Sequence, residues 1–238
     1  MMNVLSTEWI KNRRTSVWLL TCLIPAGLWG FLTVMIWYMF ETGRPPEKVW
    51  AIAMETLSLF LGPVLFMGVP LFTAQTAQIE HQTGMWKQLL AMPVPKWQLY
   101  AGKFLWNFLF IQLSGLLMTL LLAGSVIMWN LGNEVSLRSL FLHGWVPFLL
   151  TTPLIAFHTW LSQVFEHQGV STGAGAAGMI LGPLFKEAGW WTPWGYLTTF
   201  MPGYGLPFQD SRVWLTGAVL TLVLLMAGGA HFFRWMSR

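Results

Sequence analysis

The chain alternates long apolar runs with short polar breaks. The apolar runs cover Val17 to Phe40, Ala51 to Ala74, Phe104 to Trp129, Trp145 to Phe165, Val170 to Phe185 and Trp214 to Trp235. A helix needs about 20 mostly apolar residues to cross a hydrocarbon core. All six runs are read as spans, and the fifth is short and rich in small residues. Backbone groups in lipid must bond within their own segment, and the alternation of barrel strands is absent, so the spans are predicted as helices. The expected fold is an all-α polytopic membrane protein with one domain over residues 1–238. Ahead of the first run, Val4, Leu5, Trp9 and Ile10 interleave with Glu8, Lys11 and Arg13. That pattern predicts a short helix in residues 1–16 lying along the membrane interface. The run behind it is long enough to span, so it reads as a retained helix and not as a cleaved leader.

Composition agrees with the pattern and narrows the function. Only 9% of residues are charged and 55% are hydrophobic, against about 25% charged in an average soluble domain. Mean hydropathy is +0.56. A soluble enzyme, a nucleic-acid binder and a disordered chain are all excluded as readings. The net charge of +4 reports orientation. With both termini on one side, Lys11, Arg13, Arg14, Lys87, Lys96, Lys103, Arg234 and Arg238 fall on that side. Arg44, Lys48, Arg138, Lys186 and Arg212 fall on the other. The bias places both termini in the cytoplasm. Cys22 is the sole cysteine, so no intrachain disulfide forms.

Two connecting segments are long. Residues 75–103 form the first, expected as a cytoplasmic loop. Gly84 breaks it, and Met85 to Met92 then reads as an amphipathic helix with Met85, Trp86, Leu89 and Leu90 on one stripe. Pro93 and Pro95 stop that helix. Spacing alone leaves open whether the stripe seats on a partner or on the membrane interface. Residues 186–213 form the second, carrying Trp190, Trp191, Trp194 and Tyr204 among other aromatics. It reads as a packed cap at the outer end of the bundle, with an aromatic contact surface for an amphiphilic ligand as the functional alternative.

No G-x-x-x-x-G-K-[ST] phosphate loop is present, because Gly102-Lys103 is followed by Phe104. Energy for any pumping therefore comes from another chain or from an ion gradient. Ion-driven carriers keep ionisable groups deep in their spans, and here only Glu55 and His158 qualify. Glu55 lies about one turn into the second span. It either snorkels to the outer interface or contacts a cationic ligand in an outer vestibule. Gly173-Ala-Gly175-Ala-Ala-Gly178 has the literal form of a dinucleotide fingerprint but lies in a span with no strand before it. The pairs Gly169 with Gly173 and Gly178 with Gly182 read as close-packing positions. Pro63 and Pro70 in the second span, and Pro147 and Pro153 in the fourth, are expected to kink their helices. No histidine pair has zinc-ligand spacing. No catalytic residue, metal ligand or cofactor site is expected in this chain.

The run Glu80-x-x-x-Gly84-Met85-Trp86-Lys87-x-Leu89-Leu90-x-x-Pro93-Val94, Lys103 at the start of the third span, and six spans in about 240 residues resemble ABC-2-type transporter permeases. The resemblance covers essentially the whole chain and is strongest to the lantibiotic-immunity permease subunits. The family's usual Thr before the Trp is Met85 here. The resemblance implies that 85–92 is a coupling helix seated on a cytoplasmic ABC ATPase, with Glu80, Gly84, Met85, Trp86, Leu89 and Leu90 at that contact. It implies two permease and two ATPase subunits, with ATP and Mg held by the ATPase. It also implies a bacterial inner membrane and export of a cationic antimicrobial peptide, the amphiphilic substrate; the alternatives are another amphiphilic cargo (a lipid, a hydrophobic drug or a polysaccharide) or a non-transport membrane protein. The residues themselves offer Glu55, Trp190, Trp191, Trp194 and Tyr204 as outer contacts for such a ligand. Membrane lipid is then the surrounding partner, and nucleic acid is none.

Overall fold

A computed structural model describes residues 2–13, 15–84, 94–131, 135–185, 190–200 and 211–235. Among these residues the regular structure is helical throughout. Helix α1 is Met2–Asn12 and α2 is Val17–Glu41. The latter ends at Thr42 and Gly43, where Gly43 takes a left-handed φ of 73°. Pro45 then caps α3 (Pro46–Thr83) with Pro46 at its first turn, where the absent N–H costs nothing. Helix α4 is Lys96–Met128. It is followed by α5 (Leu137–Gly144), α6 (Val146–Leu150), α7 (Thr152–Val164) and α8 (Gln168–Leu181). A 3-10 turn, Gly182–Phe185, extends α8. Helices α9 (Pro193–Phe200) and α10 (Ser211–Trp235) complete the order.

Five helical stretches are long and apolar enough to cross a membrane: Val17–Glu41, Pro46–Thr83, Lys96–Met128, Leu137–Val164 and Ser211–Arg234. The sixth expected span is the 14-residue α8 with its 3-10 extension, which is not among them. Two boundaries also differ from the sequence reading. Residues 75–83, expected as loop, continue α3, because nothing before Gly84 breaks the helix and Thr73, Thr76, Ala77 and Glu80 keep a buried face at helical spacing. At 38 residues α3 is about 57 Å long, well beyond a hydrocarbon core of about 30 Å. Lys96 starts α4 a full two turns before Lys103. In the fourth span the prolines open helices and do not kink one. Pro147 and Pro153 sit in the first turns of α6 and α7, after breaks at Trp145 and Thr151.

The core lies between α2, α3, α4 and α7, from Leu32 and Ile36 through Leu57, Leu61 and Phe72 to Met118 and Leu154. Buried hydroxyls and amides fix the register of these helices. Thr76 donates to Asn107 Oδ1 (2.9 Å), and Asn107 Nδ2 donates to Thr159 (3.0 Å). Ser162 Oγ lies within hydrogen-bond distance of the Thr73 and Ser171 hydroxyls, and Ser171 in turn meets His158 Nδ1. Polar groups away from water need such partners.

Helix α8 runs antiparallel to α3. Gln168 bonds Gln78 and the Ala74 carbonyl, while Gly175 lies on Pro70 and Gly182 lies near the Phe66 ring. Pro70 cannot donate to the Phe66 carbonyl, and Gly175 approaches that carbonyl so closely that an added Cβ would stand 2.6 Å from it. The close approaches are thus at Gly175, Gly178 and Gly182. Gly169 and Gly173, expected to share in them, face open space. At the far end of the chain α10 returns to the α4 start, where Phe232 packs on Tyr100 (5.4 Å) and His231 meets Trp160.

Candidate functional site

Four charged side chains converge where α1, the end of α3 and the start of α4 meet. Lys11 Nζ lies 2.5 Å from Glu8 Oε2 and 2.7 Å from Glu80 Oε1. Lys103 Nζ pairs with Glu80 Oε1 and lies 3.5 Å from Glu8 Oε1. Asn12 Nδ2 donates to the Glu8 carbonyl and to its carboxylate. Side-chain exposure is 6% at Lys11, 4% at Lys103 and 1% at Glu80, so the cluster is shielded from solvent. Two cations face two carboxylates, and the group is formally neutral.

Each placement has a local cause. Glu8 and Lys11 are three apart on a helix and share a face. Glu80 stands in the last turn of α3, where the helix dipole disfavours an anion, and two ammonium groups offset that penalty. Burying charges is costly, and a buried pair contributes register more dependably than stability. The cluster therefore specifies where α1 sits across the α3 and α4 ends.

One turn after Glu80, α3 ends at Thr83. Gly84 is exposed, adopts φ 61°, and its N–H bonds the Glu80 carbonyl. The left-handed conformation is one that glycine takes without steric cost. On the other side Pro95, extended at ψ 131°, caps α4. The end of α3 and the first turns of α4 are thus tied together by the Glu80–Lys103 pair and strapped by α1. Met85, Trp86, Leu89 and Leu90 lie outside the described residues. Glu80 and Gly84 take distinct places: the carboxylate is buried on the lysines, and the glycine is exposed.

At the opposite end, Glu55 is exposed on α3. Its face continues one to two turns on with Ser58, Leu59 and Gly62, which line a cavity of about 130 Å³ with Pro63, Phe66, Met179 and Leu197. Trp194 is half-buried, seated over Gly178 and edge-on to Phe157 (5.0 Å). Trp190 and Trp191 are exposed, at 49% and 62%. Tyr204 lies outside the described residues. Helix α9 is a packed element: Tyr196 donates to the Val213 carbonyl and sits over Gly217, and Thr198 donates to the Gly182 carbonyl. Burial raises the Tyr196 phenol pKa, keeping it a neutral donor. Among the described residues no group of three or more His, Cys, Asp or Glu is placed to hold a metal.

Sequence reading did not bring Glu8, Lys11 and Lys103 together: it placed Glu8 and Lys11 on an interfacial helix and used Lys103 only for orientation and as a motif position at the start of the third span. The available signal was the Glu8–Lys11 spacing opposite two further charges at the ends of apolar runs. Glu80 stands 69 residues from Lys11, and spacing along the chain does not reveal that contact.

Residues 4–171 match the family model described as ABC-2 family transporter protein. No curated protein matches the chain.

Proposed function

The chain belongs to the ABC-2 family of transporter proteins, and on that premise we propose that it is the membrane-spanning permease subunit of an exporter driven by separate ABC ATPase chains. The observation that carries this reading is the strapped exit at Gly84, which offers a short segment at the end of two long helices. Residues 85–92 form the coupling helix, and ATP with its Mg is bound and hydrolysed by the partner. Glu80 acts in that contact as the anchor of the segment. Trp86, Leu89 and Leu90 supply the apolar surface that enters the ATPase.

Six passes and cytoplasmic termini fit this reading. Helix α8 runs beside α3 from Gln78 back to Phe66, and α1 and the end of α10 gather at one end of the bundle. The eight-to-five Lys and Arg bias puts that end in the cytoplasm.

Mechanically, closure of an ATPase pair pushes on 85–92. Since Glu80 and Lys103 tie α3 to α4 and α1 bears on both, the push moves the three helices as a unit. That motion is passed to the α3–α8 contact through Pro70 and Gly175. Two permease subunits make the working unit, in a bacterial inner membrane. The cargo in this reading is a cationic, amphiphilic antimicrobial peptide of the lantibiotic class, removed from the outer leaflet. The exposed Glu55 carboxylate beside an apolar cavity, with Trp190 and Trp191 exposed, supports that chemistry. Co-expression with the cognate ATPase in a sensitive strain tests it: killing curves shift to higher doses for a cationic lantibiotic, and the shift is lost in Glu55→Gln. An unchanged curve for the peptide, with protection against an uncharged hydrophobic drug instead, removes the peptide cargo.

A further inference from the structure

A second cavity, of about 400 Å³, runs along α10 between α4, the α6–α7 junction and α9. Its wall extends from Trp214 through Gly217, Ala218 and Thr221 to Leu225, and Phe108, Leu149 and Pro153 close the other side. Ala218 and Leu222 on its rim are exposed. All its lining residues except Tyr196 belong to helices long and apolar enough to cross a membrane, which puts its open side at hydrocarbon depth.

The occupant follows from shape and from hydrogen bonding. Trp214 and Leu225 are about 16 Å apart along the helix, close to half of a hydrocarbon core of about 30 Å. A helix about 10 Å across needs a cross-section of roughly 80 Å², more than a recess of about 400 Å³ spread over that length offers, so a second helix could send only side chains into it. Each hydroxyl in the lining already donates to a backbone carbonyl: Thr152 to Leu149, Thr221 to Gly217 and Tyr196 to Val213. A peptide strand would leave its own amides without partners here, which lipid penalises heavily. A chain without hydrogen-bonding groups has no such penalty. Left empty, the walls would lose the dispersion contacts that close packing supplies.

We propose that this groove is a seat for one acyl chain of a bilayer phospholipid, taken from the leaflet opposite the Glu8–Lys11–Glu80–Lys103 cluster. Trp214 stands at its headgroup end, the depth that indole rings favour. The seat is separate from the cavity beside Glu55 and does not depend on the cargo.

The test uses the full chain in vesicles of phosphatidylethanolamine and phosphatidylglycerol doped with a phosphatidylethanolamine that carries a diazirine on one acyl chain. After illumination, cross-linked positions are read by peptide mass spectrometry. Phe108, Leu149 and Ala218 are expected to label several-fold above Leu23 and Val34, which lie on the exposed face of α2. Ala218→Phe fills the groove and is expected to abolish labelling at Phe108 and Leu149 while leaving Leu23 and Val34 unchanged. Val219→Phe, outside the lining, should leave the pattern intact. Equal labelling of groove and α2 face in the unaltered protein identifies ordinary boundary lipid and overturns the proposal. Groove labelling that survives Ala218→Phe in a protein with normal α2 labelling overturns it as well.

Discussion

Glu80 makes the sharpest demand of any single residue. Its carboxylate is nearly inaccessible and accepts from Lys11 and Lys103 together. Glu80→Gln leaves two buried ammonium groups facing Glu8 alone. Breaking a buried pair from one side costs about 3–5 kcal/mol, so the unfolding midpoint in detergent micelles should fall steeply. Combining Glu80→Gln with Lys103→Met removes opposite charges together and should recover most of that loss, because the two sites share one interaction. A double variant as unstable as the sum of the singles would show that the pair is not coupled. Along the chain only the Glu8–Lys11 spacing hinted at this. Charges near the ends of apolar runs are ordinarily solvated, and only the fold brings α1 onto both helix ends.

Among the elements, α8 and α9 depend on glycines whose roles differ sharply. An added Cβ at Gly178 would stand 1.9 Å from the Trp194 ring, whereas Gly173 has nothing within 4 Å. Gly178→Ala should therefore destabilise by about 1–3 kcal/mol through overpacking. Gly173→Ala should be neutral or stabilising by up to about 1 kcal/mol, as Ala is the better helix former. Opposite signs in thermal unfolding check the packing directly. The sequence made the small-residue run visible but not which glycines face protein, since that depends on where Trp194 and Pro70 come to rest. It located the apolar cores of α2, α3, α4 and α10 because hydrophobicity marks them without ambiguity. It stopped α3 too early, because a helix leaving the membrane loses its apolar character before it loses its hydrogen bonds. The aromatic segment, read as a packed cap, includes α9, whose Tyr196 and Thr198 bond neighbouring backbone.

For the molecule as a whole, orientation decides which end meets the ATPase. In a Cys22→Ser background, Arg13→Cys and Thr83→Cys should react with a membrane-impermeant maleimide only in inverted vesicles, and Arg44→Cys and Trp191→Cys only in intact cells. Those four positions are exposed. Reaction of Thr83→Cys from outside would turn the topology over and remove the ATPase contact with it. Transport as proposed requires residues 85–92 to meet a separate motor. Its most direct test is co-elution of the purified chain with its cognate ATPase, comparing the unaltered protein with a Trp86→Ala, Leu90→Ala double variant. A stable complex is predicted for the former, and its loss for the latter at an unchanged unfolding midpoint. A complex that forms equally well with the double variant would contradict the account.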